Sequence, residues 1–167
     1  PDDRIEAIAN ALDYPPEFFD QRTRFGESPC LYHRKRQTLP VSDLKRVEAE
    51  VTIAGLVVRN IMHGLDVETE RTCPVMDIDE YESPERIAQL VRRHWRLPSG
   101  PLTNLVRVIE AAGGIVVRHA FGTQKLDAIS QWPSGESPLF VVNADIPWDR
   151  VRFTLAHEIG HLVMHAA

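Results

Sequence analysis

The run Phe153-Thr154-Leu155-Ala156-His157-Glu158-Ile159-Gly160-His161-Leu162-Val163-Met164-His165 contains an H-E-x-x-H box, His157-Glu158-Ile159-Gly160-His161. On a helix, residues four apart share a face, with Cβ atoms about 5–6 Å apart. That spacing suits two imidazole nitrogens held about 2.0–2.1 Å from one zinc ion. Glu158 projects about 100° round from His157, so it can serve a metal-bound water without being a ligand. Zinc lowers the pKa of such a water towards roughly 7, and a carboxylate can take the proton and return it to a leaving amine. The flanking pattern predicts a helix from Trp148 to about His165, with Val151, Leu155, Ile159, Leu162 and Val163 inward. Gly160 inside that helix costs about 1 kcal/mol relative to alanine, which predicts close backbone packing there.

Two histidines do not complete a catalytic zinc site, which uses three protein ligands. His165 continues the series, but three points on one straight helix advance about 6 Å per step and cannot converge on one ion. His119, Asp127 and Asp145 are within conceivable reach, and none carries a spacing signal. His33, three residues after Cys30, stands at close metal-ligand spacing, but the two alone make a poor ligand couple.

Working back from the box, Pro138-Leu139-Phe140-Val141-Val142-Asn143 reads as a buried central strand. Ile115-Val116-Val117-Arg118 is a second strand, and Lys125 to Trp132 a third around Ala128-Ile129-Ser130. A helix from Leu102 turns Leu105, Val106, Ile109 and Ala112 inward and stops at Gly113-Gly114. Before it, Ser83 caps a helix with Pro84 at its first position and Ile87, Leu90, Val91 and Trp95 inward. Residues 66–82 are acidic and read as an exposed linker. From Ser42, a plausible N-cap, to about Leu65 the pattern is helical, with Leu44, Val47, Val51, Ala54, Val58 and Ile61 in one stripe and Gly64 as C-cap. Residues 20–40 read as an irregular, solvated segment with a basic cluster, His33-Arg34-Lys35-Arg36. Residues 4–12 form a short amphipathic helix on Ile5, Ile8, Ala9 and Leu12, stopped by Pro15-Pro16, with Phe18 and Phe19 packing back. The expected division is a helical portion over 1–82 and an α+β portion over 83–167.

Composition limits the function classes. The 167 residues are 43% hydrophobic and 26% charged, which is ordinary for a globular chain with a sizeable core. A net charge of -5 argues against a whole-molecule phosphate-binding surface. No apolar run approaches the roughly 20 residues of a membrane helix, and the first residues lack a signal pattern. The two cysteines, Cys30 and Cys73, are too few for a disulfide scaffold. We read the chain as cytoplasmic, without a membrane partner, and as part of a longer protein.

The run from Phe153 to His165 resembles the signature helix of the ImmA/IrrE family of metallopeptidases. The segment ending in Asn143, followed by Pro147 and Arg150, resembles that family's approach to the box. Asp127-Ala128-Ile129-Ser130 resembles its preceding edge strand, and Pro84 to Gly114 its two leading helices. The resemblance covers roughly residues 83–167. It implies an α+β, zincin-like peptidase domain with a small three-stranded sheet, ending in the H-E-x-x-H helix. It implies a gluzincin-like zinc cofactor site with His157 and His161 as metal ligands and Glu158 as the catalytic group. The family's third ligand, an acidic residue on a following helix, is expected after Ala167. Residues 1–167 alone are therefore expected to hold zinc weakly and to be inactive. Ile5 to Phe19 resembles the last helix and exit of an Xre-type helix-turn-helix, whose DNA-reading part would precede Pro1.

The resemblance implies a regulatory zinc endopeptidase that cleaves or inactivates a DNA-binding repressor or antitoxin-like partner, as in phages and mobile elements. The alternatives are a non-proteolytic transcriptional regulator that uses the peptidase fold as a sensor, and a toxin–antitoxin component.

Overall fold

The computed structural model describes residues 3–19, 32–35, 39–65, 72–81, 83–133 and 136–165, with only the backbone for 32–35 and 63. The elements are α1 (Asp3–Leu12), a 3-10 turn (Pro16–Phe18), β1 (Tyr32–Lys35), α2 (Val41–His63), α3 (Ile78–Tyr81), α4 (Pro84–His94) and α5 (Leu105–Ala111). They continue as β2 (Ile115–His119), β3 (Leu126–Gln131), β4 (Leu139–Asn143) and α6 (Trp148–His165). The architecture is α+β, as expected. The three anticipated strands form, and β1 adds a fourth at the edge, in the order β1-β3-β4-β2.

β4 lies inside the sheet because every one of its residues can be buried, and all five are. It pairs in parallel with β2 and antiparallel with β3. β3 was expected at the edge, but β1 pairs antiparallel along its other side, with Tyr32 opposite Ser130 and His33 opposite Ile129. This also corrects the irregular reading of residues 20–40 at Tyr32–Lys35. The rest of that segment up to 38, including Cys30 and Arg36, lies outside the described residues. Between His33 and Lys35 the register shifts, so three steps along β3 match two along β1. The extra residue in β3 is a bulge, which changes the side to which successive side chains point. Leu126 and Ile129 thus meet one face of the sheet, while Asp127, Ala128 and Ser130 meet the other.

α2 covers the first face. Val47 and Val51 are fully buried against Phe121, Leu126, Ile129 and Val141. Its N-cap is Pro40 rather than Ser42, and Gly64 caps its C-terminus as expected. Ile61, expected inward, is 56% exposed. The half-buried seam instead runs through Gly55, Val58 and Met62. Residues before 82 thus supply both a strand and a covering helix to the sheet formed by residues after it.

α6 and α5 cover the second face, where Leu155 and Leu162 pack with Ile109, Phe140, Val142 and Ile146. α5 begins at Leu105 rather than Leu102, because the Asn104 side chain caps it by accepting from the Arg107 N–H at 3.1 Å. α4 lies outside α6, capped by Ser83 as the sequence indicates, with Ile87, Val91 and Trp95 turned inward against Val163. The expected exposed linker is in part a strap. Cys73, Met76, Ile78 and Tyr81 pack on α4, the Met76 N–H donates to Val163 O at 2.8 Å, and the Trp95 indole donates to Thr72 O. Residues 66–71 and 82 lie outside the described residues. Burial pushes the Cys73 thiol up to about 11.

α1 forms as expected and Ala9 is buried, but Ile8 and Leu12 are exposed at 49% and 57%. The Tyr14 and Phe18 rings stack 4.7 Å apart beyond it. No helix among the described residues is long and apolar enough to cross a membrane.

Candidate metal centre

α6 spans Trp148–His165, the range read from its periodicity. Val151, Leu155, Leu162 and Val163 are buried, so the apolar stripe clamps the helix to the sheet and fixes its rotation. That rotation leaves His157 and His161 half-buried on the same flank. Their rings meet edge to face with centroids 4.6 Å apart, and the two Nε2 atoms are 3.1 Å apart. Two nitrogens bound to one tetrahedral zinc at ordinary bond lengths stand about 3.3–3.4 Å apart. The pair is therefore close to a zinc-binding bite as folded. Burial, and then the neighbouring His157 and His165 rings, lower the His161 pKa from its ordinary 6.5. A ring kept neutral at physiological pH is the form that binds metal. His165 sits one turn further on, its ring 5.7 Å from that of His161.

Glu158 turns the other way, under the helix. It is fully buried, and its Oε2 accepts a 2.5 Å hydrogen bond from the Ser130 hydroxyl on β3. A carboxylate is expensive to bury without donors. Ser130 supplies one, and the bulge in β3 is what turns Ser130 and Asp127 both towards α6. Eight residues earlier on α6, Arg150 donates twice to Asp127 Oδ2, at 3.0 and 2.8 Å. Two polar ties, about two helical turns apart, thus hold the helix to the strand. The sequence indicated Glu158 beside the histidines; the structure adds that in this state its carboxylate faces the strand and does not touch solvent.

The other candidate ligands lie elsewhere. His119 Nε2 meets Glu50 Oε2 on α2 at 3.2 Å, Asp127 is held by Arg150, and Asp145 is exposed in the turn before α6. Among the described residues no group of three or more His, Cys, Asp or Glu could hold a metal ion. Reasoning from sequence missed Ser130 and gave Asn143 no role. Asn143 is fully buried; its Nδ2 donates to Thr123 O and Leu126 O, and its Oδ1 accepts from the Asp145 N–H. It ties the start of β3 to the turn that launches α6. The available signal was an asparagine ending an otherwise wholly apolar strand.

Fold and site together define an α+β domain whose last helix carries a close histidine pair beside a buried glutamate. Residues 110–167 match the family model Peptidase_M78, the IrrE N-terminal-like domain. That span holds all four strands except β1 and the whole of α6. The match supports a metallopeptidase-like regulatory domain, and the family is in general one of zinc metallopeptidases. Comparison with curated proteins and with solved structures found no match.

Proposed function

We propose that this chain is the catalytic part of a zinc-dependent endopeptidase of regulatory type, acting on a DNA-binding repressor or an antitoxin-like protein. The observation that carries this reading is the convergence of His157 and His161, with Nε2 atoms 3.1 Å apart, on a helix flanked by Glu158. The histidines would hold the ion, together with a third protein ligand expected beyond Ala167. Zinc, when bound, supplies Lewis acidity to a water and to a peptide carbonyl. Glu158 would accept a proton from the attacking water and deliver it to the leaving amine. To do so its carboxylate turns from Ser130 towards the histidine face. The Ser130 hydroxyl is thus a positioning group that holds Glu158 in reserve on its buried side.

A second reading has its own observation. Glu158 is completely buried and bonded to the sheet, which suits a structural carboxylate in a non-proteolytic regulator or toxin–antitoxin component. Glu158→Gln separates the two. Under the first reading a full-length protein carrying it still binds zinc, one per chain, but cleaves its partner at least a hundredfold more slowly, the lower range for loss of a general base. His157→Ala abolishes both. Unchanged regulation in cells carrying Glu158→Gln would establish the second reading.

A further inference from the structure

Between the two ties that hold α6 to β3, the fold buries two more polar atoms that those ties do not use. Thr154 is fully buried, and Asp127 is 3% exposed. Neither Thr154 Oγ1 nor Asp127 Oδ1 has a hydrogen-bond partner among the described residues. Arg150 makes both of its bonds to the other carboxylate oxygen, Oδ2. Native proteins tolerate few such atoms, and each calls for an explanation. Here two of them belong to one interface.

Thr154 stands one turn after Arg150 and one turn before Glu158. Those neighbours reach Asp127 and Ser130, so Thr154 faces β3 between them. Side chains on a helix lean towards its N-terminus, which tips Thr154 towards Asp127. A helical threonine can bond its hydroxyl to the carbonyl one turn back, and Thr154 does not. Valine would fill the same volume without a hydroxyl to satisfy. The strand residue at this level is Ala128, fully buried on the same face. Short side chains thus separate helix and strand here.

The two atoms are of opposite kind. The hydroxyl has a proton to donate, and the carboxylate oxygen can only accept. Whatever joins them must accept on one side and donate on the other. A metal ion would meet the carboxylate but leave the hydroxyl proton without an acceptor. The Arg150 guanidinium, 2.8 Å from the same carboxylate, also opposes a cation. Water meets both demands in the smallest volume, and a buried water is held by two to four polar partners.

We propose that one internal water molecule binds here, accepting from Thr154 Oγ1 and donating to Asp127 Oδ1, and that Thr154 is thereby a positioning residue for α6. The helix is then held to β3 at three successive turns, through Arg150, Thr154 and Glu158. The site needs neither metal nor hydrolysis, so it stands or falls separately from the reading of the histidine pair.

The test is a crystal structure of the chain at a resolution that shows ordered water, with parallel structures of Thr154→Ser and Thr154→Val. The expected result is a solvent peak about 2.5–3.0 Å from both atoms in the parent and in Thr154→Ser, and none in Thr154→Val. The Ser130–Glu158 contact should keep its length in Thr154→Ser and change in Thr154→Val. In thermal unfolding, Thr154→Val should melt at least about 2 °C below the parent, because Asp127 Oδ1 loses its partner. A hydroxyl with nothing to bond gives the opposite sign, since valine then removes a penalty. No peak in the parent, a direct Thr154–Asp127 bond, or contacts near 2.4 Å such as a cation makes would overturn the water. Thr154→Val melting at or above the parent would do the same. An unmoved Glu158 in a Thr154→Val chain that has lost the peak would overturn the positioning role.

Discussion

Ser130 and Glu158 make one buried hydrogen bond, and its partners come from elements 28 residues apart. Ser130→Ala deprives a buried carboxylate of that donor, and the chain should lose about 1–3 kcal/mol of stability in urea unfolding. An unchanged midpoint would mean that Glu158 is not buried in solution. Gly160 gives the opposite sign. It was expected to permit a close backbone approach, but a Cβ there would meet only Met164 Cε at an ordinary 3.7 Å. Gly160→Ala should therefore stabilise the chain by roughly 0.5–1 kcal/mol. A loss of stability would show that something approaches Gly160 which the described residues do not reveal. His157, Glu158 and His161 were legible because an i, i+4 pair on a strongly patterned helix leaves little freedom in placement. Ser130 was not, since serine has no distinctive pattern and its role depends on a bulge that only strand pairing creates.

At the scale of elements, α6 was read to its ends because its inward stripe repeats without interruption. β3 was read as a strand but given the wrong neighbours. Its edge is filled by Tyr32–Lys35, a basic, polar segment whose order comes from backbone pairing with a partner about 100 residues away. Periodicity reports burial of side chains and is silent about such pairing. The turn between β4 and α6 rests on Asn143, which makes three side-chain hydrogen bonds at the end of a buried strand. Asn143→Ala leaves one buried carbonyl, one part-buried carbonyl and one N–H without their partner, and should cost at least about 2 kcal/mol. A Tm within a degree of the parent would show that water replaces the asparagine.

For the whole molecule, the metal-free chain should be less stable in mild acid. The His161 ring is held below its ordinary 6.5 by burial and by its histidine neighbours. The unfolded chain then binds its proton first as the pH falls. Stability is complete above about 6.5 and is lost below it, until the folded ring also charges. The Tm should fall from about pH 7 to about pH 5.5, and His161→Gln should flatten that fall. Equal slopes in the two chains would remove His161 as the cause. The division at residue 82 followed a change in composition. The layers ignore it, because β1 and α2 from one side bury the sheet from the other. Among the described residues the two sides share one core.

What the sequence by itself determined was local: the span and facing of α6, the histidine pair with its glutamate, the apolar central strand, and the Ser83 and Gly64 caps. These depend on spacings within a few residues, where helix and strand geometry leave few choices. Tertiary structure decided what long-range pairing controls: β3 as an inner strand, and the bulge that turns Ser130 towards Glu158. Each needs two segments far apart in the chain to meet at one register, and no local pattern encodes where that meeting occurs.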